Sequence, residues 1–274
     1  MSIQKELTLP EIHEATLEIL DKFIEICETN NIDYFVVYGS LIGVVRHQGF
    51  IPWDDDFDVG MLRGEFDRFC EYCHSHEKEM YPFKLLDRTN TPNYPFNIPR
   101  LCDLRYRMET DLIPDVGMGT FIDVYPFDGM GNDPSISKKL RMKKFFILSG
   151  LDYKNKGLFT PSKKNFVFTI VRYGIYLWSK TKTLDYFFEK LDSLRKNLPG
   201  IDDSKYVSCV IWGDISPCDK KEWINKTIYS SFEGRNVKIP VGFDAALKEH
   251  YGDYMSLPPE KNRIPHHDYK IFRK

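Results

Sequence analysis

Three aspartates alternate along one short stretch of the chain, Asp54, Asp56 and Asp58. In an extended strand this alternation places all three on one face. A further acid, Asp123, stands among apolar neighbours in residues 121–124. Like charges on one face repel one another unless a cation lies among them, and carboxylate oxygens suit Mg²⁺. The pattern therefore predicts a catalytic metal centre held by Asp56, Asp58 and Asp123, rather than a solvated acidic loop.

A glycine and a serine precede these acids at a change of structure. Residues 34–38 are apolar and aromatic, as in a buried strand, and residues 41–47 have the pattern of a short helix. Gly39 and Ser40 therefore lie at a strand-to-helix corner, where free N–H groups and the helix dipole can receive a phosphate. Ser40 has an equally good alternative role as the N-cap of the helix.

Three more side chains near this corner are candidates for binding a phosphate-bearing ligand. Arg46 and His47 end the short helix, and Arg offers a charge-assisted fork to a diphosphate; the alternative is a surface pair. Trp53 could hold a quaternary ammonium by a cation–π contact, although an ordinary buried aromatic beside Pro52 is the better interpretation.

A calcium-binding loop is a competing interpretation of the acids. The three alternating aspartates and Glu65 occupy the first, third, fifth and twelfth places of an EF-hand loop. The sixth place, which requires glycine, is Val59, and Pro52 interrupts the helix that should enter the loop. The sequence therefore favours magnesium over calcium.

A cluster of cysteines and histidines raises the question of a zinc site. Cys70, Cys73 and His74 share one face of a predicted helix over residues 63–76, and His76 follows. Such close helical spacing is more typical of residues that pack into a core. No fourth ligand is evident, so we interpret the cluster as structural.

The elements around the acids alternate between helices and short strands. Helical periodicity covers residues 10–29 behind a cap at Thr8, and a further helix is expected at 244–251 with Asp244 as its N-cap. Strand patterns are found at residues 83–86, 99–105 and 119–124, and residues 232–235 suggest a turn. Together these elements predict an α+β fold, a mixed β-sheet flanked by helices with a helical insertion.

Composition excludes several classes of protein. The formal net charge of −2 argues against a protein that binds nucleic acid by bulk charge. Six scattered cysteines and an N-terminus without an apolar leader predict reduced thiols in a cytoplasmic protein. The longest apolar stretch, residues 166–178, contains Arg172 and is too short to span a bilayer.

Residues 138–182 differ from the rest because they carry twelve Lys and Arg but a single acid, Asp152, among many aromatic residues. A helical face of this kind could approach an anionic membrane, at its inner side, or an anionic glycan. The alternatives are lysines that serve solubility alone and aromatic residues that pack in a core.

A longer motif carries a family resemblance. Residues 38–58, with the sequence YGSLIGVVRHQGFIPWDDDFD, resemble the LicD family, which is related to the fukutin-type sugar-phosphate transferases and has a nucleotidyltransferase-type site. Further matches lie at residues 119–129 (GTFIDVYPFDG), 232–235 and 251–259. The match is weak between about residues 132 and 230.

The resemblance implies a function. Members transfer phosphocholine, or a related substituted phosphate, from a CDP-activated donor to a hydroxyl of a cell-surface or lipid-linked glycan such as lipopolysaccharide or teichoic acid, and release CMP. It implies Mg²⁺ or Mn²⁺ as the cofactor. The donor would contact Gly39, Ser40, Arg46, His47, Trp53 and Asp54, and Arg235, His266 and His267 are further candidates.

The division of the chain follows from the same comparison. We expect a nucleotidyltransferase-like core at residues 1–135, a basic helical insertion at 136–200, and a C-terminal segment at 201–274 that completes the core and the acceptor and donor site. Two other functions stay open from sequence: an enzyme that transfers the nucleotide itself, and a catalytically silent relative that binds nucleotide or glycan.

Overall fold

The computed structural model describes residues 5–111, 113–161, 166–212, 218–264 and 269–274. In chain order, its helices are α1 (Leu9–Thr29), α2 (Tyr38–Ile42), α3 (Arg63–Ser75), α4 (Ile136–Lys156), α5 (Phe166–Lys180), α6 (Leu184–Lys196), α7 (Lys221–Ile224) and α8 (Phe243–Tyr251). Its strands are β1 (Phe35–Val36), β2 (Asp58–Leu62), β3 (Phe83–Leu86), β4 (Arg100–Asp103), β5 (Tyr106–Glu109), β6 (Thr120–Gly131), β7 (Tyr206–Ser208), β8 (Asp219–Lys220), β9 (Thr227–Phe232), β10 (Arg235–Pro240) and β11 (Lys270–Arg273). A π-helical turn at Gly43–His47 continues α2, and a 3₁₀ turn covers Glu260–Asn262.

The main sheet has the strand order β1-β2-β6-β4-β3. β2 and β6 run parallel, whereas the other neighbouring pairs are antiparallel. All twelve residues of β6 are buried, because α1 and α3 both pack against this central strand. The C-terminal part of β6 pairs with β7, which pairs with β8. The predicted α+β fold, a mixed sheet flanked by helices, is confirmed.

The first helix begins where the sequence indicates. The Glu11 carboxylate accepts hydrogen bonds from the Thr8 N–H at 2.7 Å and from its hydroxyl at 2.8 Å, so one acid closes the N-terminus. Pro10 is tolerated in the first turn, where a backbone N–H would have no partner in the helix. The buried face of α1 then packs on the sheet and fixes this helix beside the site.

The corner at Gly39 and Ser40 is tighter than predicted. β1 is only two residues long, and α2 already begins at Tyr38, whose φ of 52° turns the chain early. The Tyr38 ring packs edge-on against Tyr125 with ring centroids 4.9 Å apart, and this contact compensates for the unfavourable φ. Gly39 and Ser40 therefore lie in the first turn of α2 instead of in front of it.

The acidic segment is also less regular than the expected strand. β2 begins only at Asp58, so Asp54 and Asp56 belong to irregular chain that leads into it. The prediction that all three acids alternate along one strand was wrong in this respect. They nevertheless line one cleft.

The basic stretch at residues 138–182 contains α4 and α5, and α4, α5 and α6 pack together. Their shared core contains Ile147, Leu151 and Phe187. Lys144 is buried and donates to the Trp212 carbonyl at 2.6 Å, so it is a structural residue and not a surface cation. Within the described ranges, no helix is both long and apolar enough to cross a bilayer.

The C-terminal part returns to the main core. Phe232, at the end of β9, packs in the same cluster as the residues of α1, and Glu233 and Gly234 form the predicted turn with φ of 47° and 75°. Gly242 is the N-cap of α8, so the assignment of this role to Asp244 was wrong. A Cβ at Gly242 would lie 2.6 Å from Trp223, so the chain needs glycine at this close approach.

Candidate active site

Three adjacent strands place two aspartates and an arginine side by side. Asp58 of β2 lies directly opposite Asp123 of β6, and Arg100 of β4 lies opposite Asp123 on its other side. The N–H of Asp123 also donates to the Phe57 carbonyl at 3.0 Å. The register of three strands therefore brings together residues that are far apart in sequence.

Asp58 is the most constrained of the acids. Its N–H donates to the Ser40 hydroxyl at 2.8 Å, which ties the strand to the corner. Its side chain is buried, and Oδ1 has no hydrogen-bond partner. Burial raises the pKa of Asp58 well above its usual range, and the carboxylates of Asp56 and Asp123 raise it further. Such a buried oxygen is stabilised only by a proton or a cation.

Carboxylate oxygens converge here in two overlapping groups. One oxygen from each of Asp56, Asp58 and Asp123 lies within 4.8 Å of the others, and the same holds for Asp54, Asp55 and Asp56. Asp56 belongs to both groups. Hard oxygen donors at this density fit a divalent cation such as Mg²⁺, and so does the presence of an unpartnered buried oxygen on Asp58.

Arg100 is a buried partner of Asp123. Its Nε donates to Oδ1 at 2.6 Å and its Nη2 to Oδ2 at 3.4 Å, while the Tyr125 hydroxyl lies 3.4 Å from Oδ2. The guanidinium stacks between the rings of Phe96 and Phe121, at 3.7 and 4.0 Å from their centroids. Burial alone would lower the pKa of Arg100, but Asp123 raises it above its ordinary value. Arg100 is therefore always charged and fixes the orientation of the carboxylate.

An open cleft of about 670 Å³ leads to the acids. Its lining residues come from the corner, the acidic segment and the C-terminal part: Gly39, Ile42, Arg46, Ile51, Trp53, Asp54, Asp56, Asp58, Tyr251, Asp253, Tyr254, Ser256, Leu257 and Pro258. A Cβ at Gly39 would lie 3.2 Å from an Asp54 oxygen, so the glycine leaves room beside that carboxylate. A cleft of this size suits a small-molecule ligand.

Arg46 joins the two ends of the chain across this cleft. Its Nη1 donates to the carbonyls of Tyr254 at 2.6 Å and Ser256 at 3.2 Å, and its Nε donates to His47 Nε2 at 3.0 Å. Burial, with the charge of Arg46, lowers the pKa of His47, so this imidazole is neutral and can accept. Arg46, supported by His47, therefore holds residues 251–258 in place, and we call these residues the C-terminal wall of the cleft. The sequence did not indicate this role.

Trp53 lines the cleft but already faces a cation. The Arg263 guanidinium carbon lies 5.7 Å from the centre of its ring. A quaternary ammonium on this ring would have to share it with Arg263 or displace that side chain.

Arg235 lies outside the cleft. It forms a bidentate ion pair with Asp21 on α1, at 2.6 and 2.7 Å, and so holds the β9–β10 hairpin to that helix. The neighbouring Glu233 accepts from the Phe50 N–H at 3.1 Å. His266 and His267 lie outside the described residues.

Two contacts that were not expected shape the acidic segment. The His13 ring on α1 is stacked on Phe50 with centroids 4.0 Å apart, and its Nε2 lies 2.7 Å from the Asp54 carbonyl. From the other end of the chain, the Tyr269 hydroxyl lies 3.4 Å from the Asp55 carbonyl. Both contacts hold the irregular chain that carries the acids.

The calcium and zinc interpretations do not match the geometry. Glu65, the twelfth place of the calcium loop, accepts from the Asp33 N–H at 3.0 Å and from Arg68 at 2.8 Å, away from the acids. Cys73 is buried in the main core, and His74 pairs with Asp87 at 2.8 Å. Among the described residues, the acidic groups are the sets with three converging ligand atoms.

Comparison with known proteins shows the family. The family described as LicD/FKTN/FKRP, nucleotidyltransferase domain, matches residues 31–143, which contain the corner, the acids and Arg100. The lipopolysaccharide cholinephosphotransferase LicD of Haemophilus influenzae is 33% identical over an alignment of 271 positions, which covers 96% of this chain and 97% of that protein. The chain belongs to the LicD family. The resemblance and the enzyme class predicted from sequence are thereby confirmed: the chain is a LicD-type transferase.

Other relatives share a shorter stretch with this LicD-type chain. Uncharacterized proteins of Rickettsia typhi and Rickettsia prowazekii are each 44% identical over 62 residues, which are 23% of this chain and 18% and 21% of those proteins. The match to the Haemophilus LicD extends much further and includes the C-terminal wall of the cleft.

Proposed function

We propose that the chain transfers phosphocholine, or a related substituted phosphate, from a CDP-activated donor to a hydroxyl of a cell-surface glycan and releases CMP. The observation that carries this proposal is the group formed by Asp56, Asp58 and Asp123 beside an open cleft, with a buried carboxylate oxygen that has no partner. The name of the Haemophilus relative, a lipopolysaccharide cholinephosphotransferase, supports phosphocholine as the transferred group and lipopolysaccharide as the acceptor.

Asp56, Asp58 and Asp123 would hold Mg²⁺, or Mn²⁺ in its place. When bound, the metal would neutralise the donor diphosphate and stabilise the charge on the leaving CMP oxygen. Asp56 also belongs to a second group of converging carboxylates, formed with Asp54 and Asp55. The acidic segment therefore offers further ligands next to those of Asp58 and Asp123.

The protein's own groups account for orientation and proton transfer. The acceptor hydroxyl forms a bond to the phosphorus that bears choline, and the bond from that phosphorus to the CMP oxygen breaks. We assign the hydroxyl proton to Asp123, because Arg100 presents its carboxylate in one fixed orientation. Arg46 and Gly39 border the space for the diphosphate, the first as a cation and the second by lacking a side chain.

The direction in which the donor lies decides the products. With choline phosphate next to the acceptor, CMP leaves; with the nucleotide next to the acceptor, phosphocholine leaves and the glycan becomes cytidylated. The test therefore incubates the protein with Mg²⁺, CDP-choline and a lipopolysaccharide or teichoic acid acceptor, with other CDP-activated donors in parallel, and identifies the released molecule.

CMP release that requires acceptor supports the proposal. Asp58→Asn should abolish it, while Asp33→Asn, a surface acid paired with Lys238, should leave it unchanged. Release of phosphocholine would instead identify a nucleotidyltransferase, and no turnover with any donor would favour a silent relative.

A further inference from the structure

The outward face of α5 is apolar and exposed. Along Phe166–Lys180, exposure reaches 77% at Phe166, 57% at Ile170 and 49% at Leu177. These positions share one side of the helix at about 100° per residue. The other exposed apolar side chains of α5 are Val167, Phe168, Val171 and Tyr173. The surface of a soluble protein rarely carries a continuous apolar strip of this kind unless the strip has a function.

The opposite face explains how α5 is held. Its C-terminal half packs on α4 and α6 through ring contacts of Tyr176 with Tyr153 and of Trp178 with Phe187, at 5.7 and 5.1 Å. Both charged residues of α5 take part in this anchoring, since Arg172 Nε donates to the Tyr153 hydroxyl at 2.7 Å and Lys180 Nζ to a backbone carbonyl of α4's C-cap at 2.9 Å. The exposed strip therefore contains no charge of its own.

The segment that contains the strip is rich in positive charge. Residues 138–182 contain twelve Lys and Arg, of which Lys144, Arg172 and Lys180 have the structural contacts described above. Lys163 and Lys164 lie three and two positions before α5 in the sequence. The single acid of this stretch, Asp152, is paired with Lys156 at 2.9 Å. An apolar helical face in a segment rich in Lys and Arg is typical of helices that lie in the plane of an anionic membrane.

We propose that α5 is a membrane-docking helix that lies on a bilayer containing anionic lipids, with Ile170 and Leu177 pointing into the acyl boundary. Lipid is favoured over a second copy of the chain because two copies would bring two basic surfaces together, whereas anionic headgroups complement the charge. The helix would lie on the surface, since it is too short to span.

Only the use of this surface rests on the proposed function: docking would bring the cleft to an acceptor glycan that is built on a lipid. The binding itself needs neither donor nor acceptor. It can therefore be measured separately, and its failure leaves the transferase assay unaffected.

The experiment is co-sedimentation of the full chain with vesicles of neutral phospholipid and with vesicles that contain about one third anionic lipid. The test variant is Val167→Gln/Ile170→Gln/Leu177→Gln, which keeps good helix formers on the strip. The matched control is Ile228→Gln/Val241→Gln, which changes two similarly exposed apolar residues outside α5. Far-UV circular dichroism and melting temperature confirm that all variants fold.

We expect the parent and the control to bind anionic vesicles, the test variant to bind about tenfold or more weakly, and binding to fall at about 0.5 M salt. Equal binding to neutral and anionic vesicles, or equal binding of the test variant and the parent, would overturn the proposal. So would a dimer in sedimentation velocity that the triple substitution dissociates, combined with no vesicle binding, because the strip would then be a self-association surface.

Discussion

In the absence of metal, the Asp58→Asn variant should be more stable than the parent. In the presence of metal, the variant should be less stable than the parent. The Asp58 side chain is 6% exposed, and its Oδ1 has no partner. An unsatisfied buried acceptor costs about 1–3 kcal/mol. The Asn amide has nearly the same shape, carries no charge, and can donate to the neighbouring carboxylates. In EDTA, we therefore expect the variant to gain about 1–3 kcal/mol, or about 2–8 °C in melting temperature.

Magnesium should reverse this order. A ligand that binds only the folded state at about 100 times its Kd adds about 2.7 kcal/mol to the stability of the parent. The parent should therefore melt about 5–10 °C higher in saturating Mg²⁺ than in EDTA. The variant lacks one ligand charge and should shift by less than about a third of that amount.

The assay is thermal unfolding of both proteins in EDTA and in MgCl₂, with Asp33→Asn as the control that should follow the parent in both buffers. The pKa of Asp58 is raised in the folded state, so the parent loses stability as pH rises above about 3.9 and the advantage of the variant in EDTA should shrink toward pH 4. Identical responses of parent and variant to Mg²⁺, or a variant that is less stable in EDTA, would refute the assignment of Asp58 as a ligand.

Three other outcomes follow from buried contacts. Arg100→Met should lower the free energy of unfolding in urea by about 3–5 kcal/mol, and Mg²⁺ should restore part of this loss. The control Arg63→Met breaks a part-buried bidentate pair with Asp128 outside the cleft, so it should lose stability without any recovery in Mg²⁺. His250→Gln should remove a stabilising pair with Asp219 that raises the pKa of the imidazole. The charge-dependent part of the stability difference should be full below about pH 6.5 and be lost as pH rises through the raised folded-state pKa; a difference independent of pH would contradict this. Gly150→Ala should lower stability by about 1–3 kcal/mol, because its Cβ would lie 2.4 Å from the Phe187 ring, and a more stable variant would show that the helices can separate without strain.

Local pattern was enough to find α1, α3 and several strands of the main sheet, together with most of the acids. The periodicity of residues 10–29 and 63–76 predicts α1 and α3 to within about a residue, because one face of each helix is buried and capping is local. Asp58 and Asp123 were recognised because each lies among apolar residues in the sequence. Aspartates are rarely buried unless they are paired or bind a ligand.

The irregular chain could not be predicted in the same way. The path of Asp54 and Asp55 depends on His13 and Tyr269, which lie 41 and 214 residues away in sequence. The early turn at Tyr38 depends on its contact with Tyr125. Conformations set by distant partners leave no periodic signal.

Arg100 was missed for a related reason. The sequence does contain a hint, an arginine at the second position of the predicted strand at residues 99–105, next to apolar residues. Its partner became evident only when the register placed Arg100 opposite Asp123. A charged residue within an apolar strand is thus a reason to look for a buried partner of opposite charge.

Two hydrogen bonds join Arg46 to the carbonyls of Tyr254 and Ser256, so the two sides of the cleft come from different parts of the chain. The converging carboxylates belong to the stretch of residues 54–123, whereas the facing wall at residues 251–258 is attached through backbone oxygens, which any residue at these positions would provide. Under the proposed function, substitutions in the wall can therefore change donor preference while the carboxylates stay unchanged. We expect exchange of this short segment between relatives to be the most economical route by which such transferases acquire new headgroups.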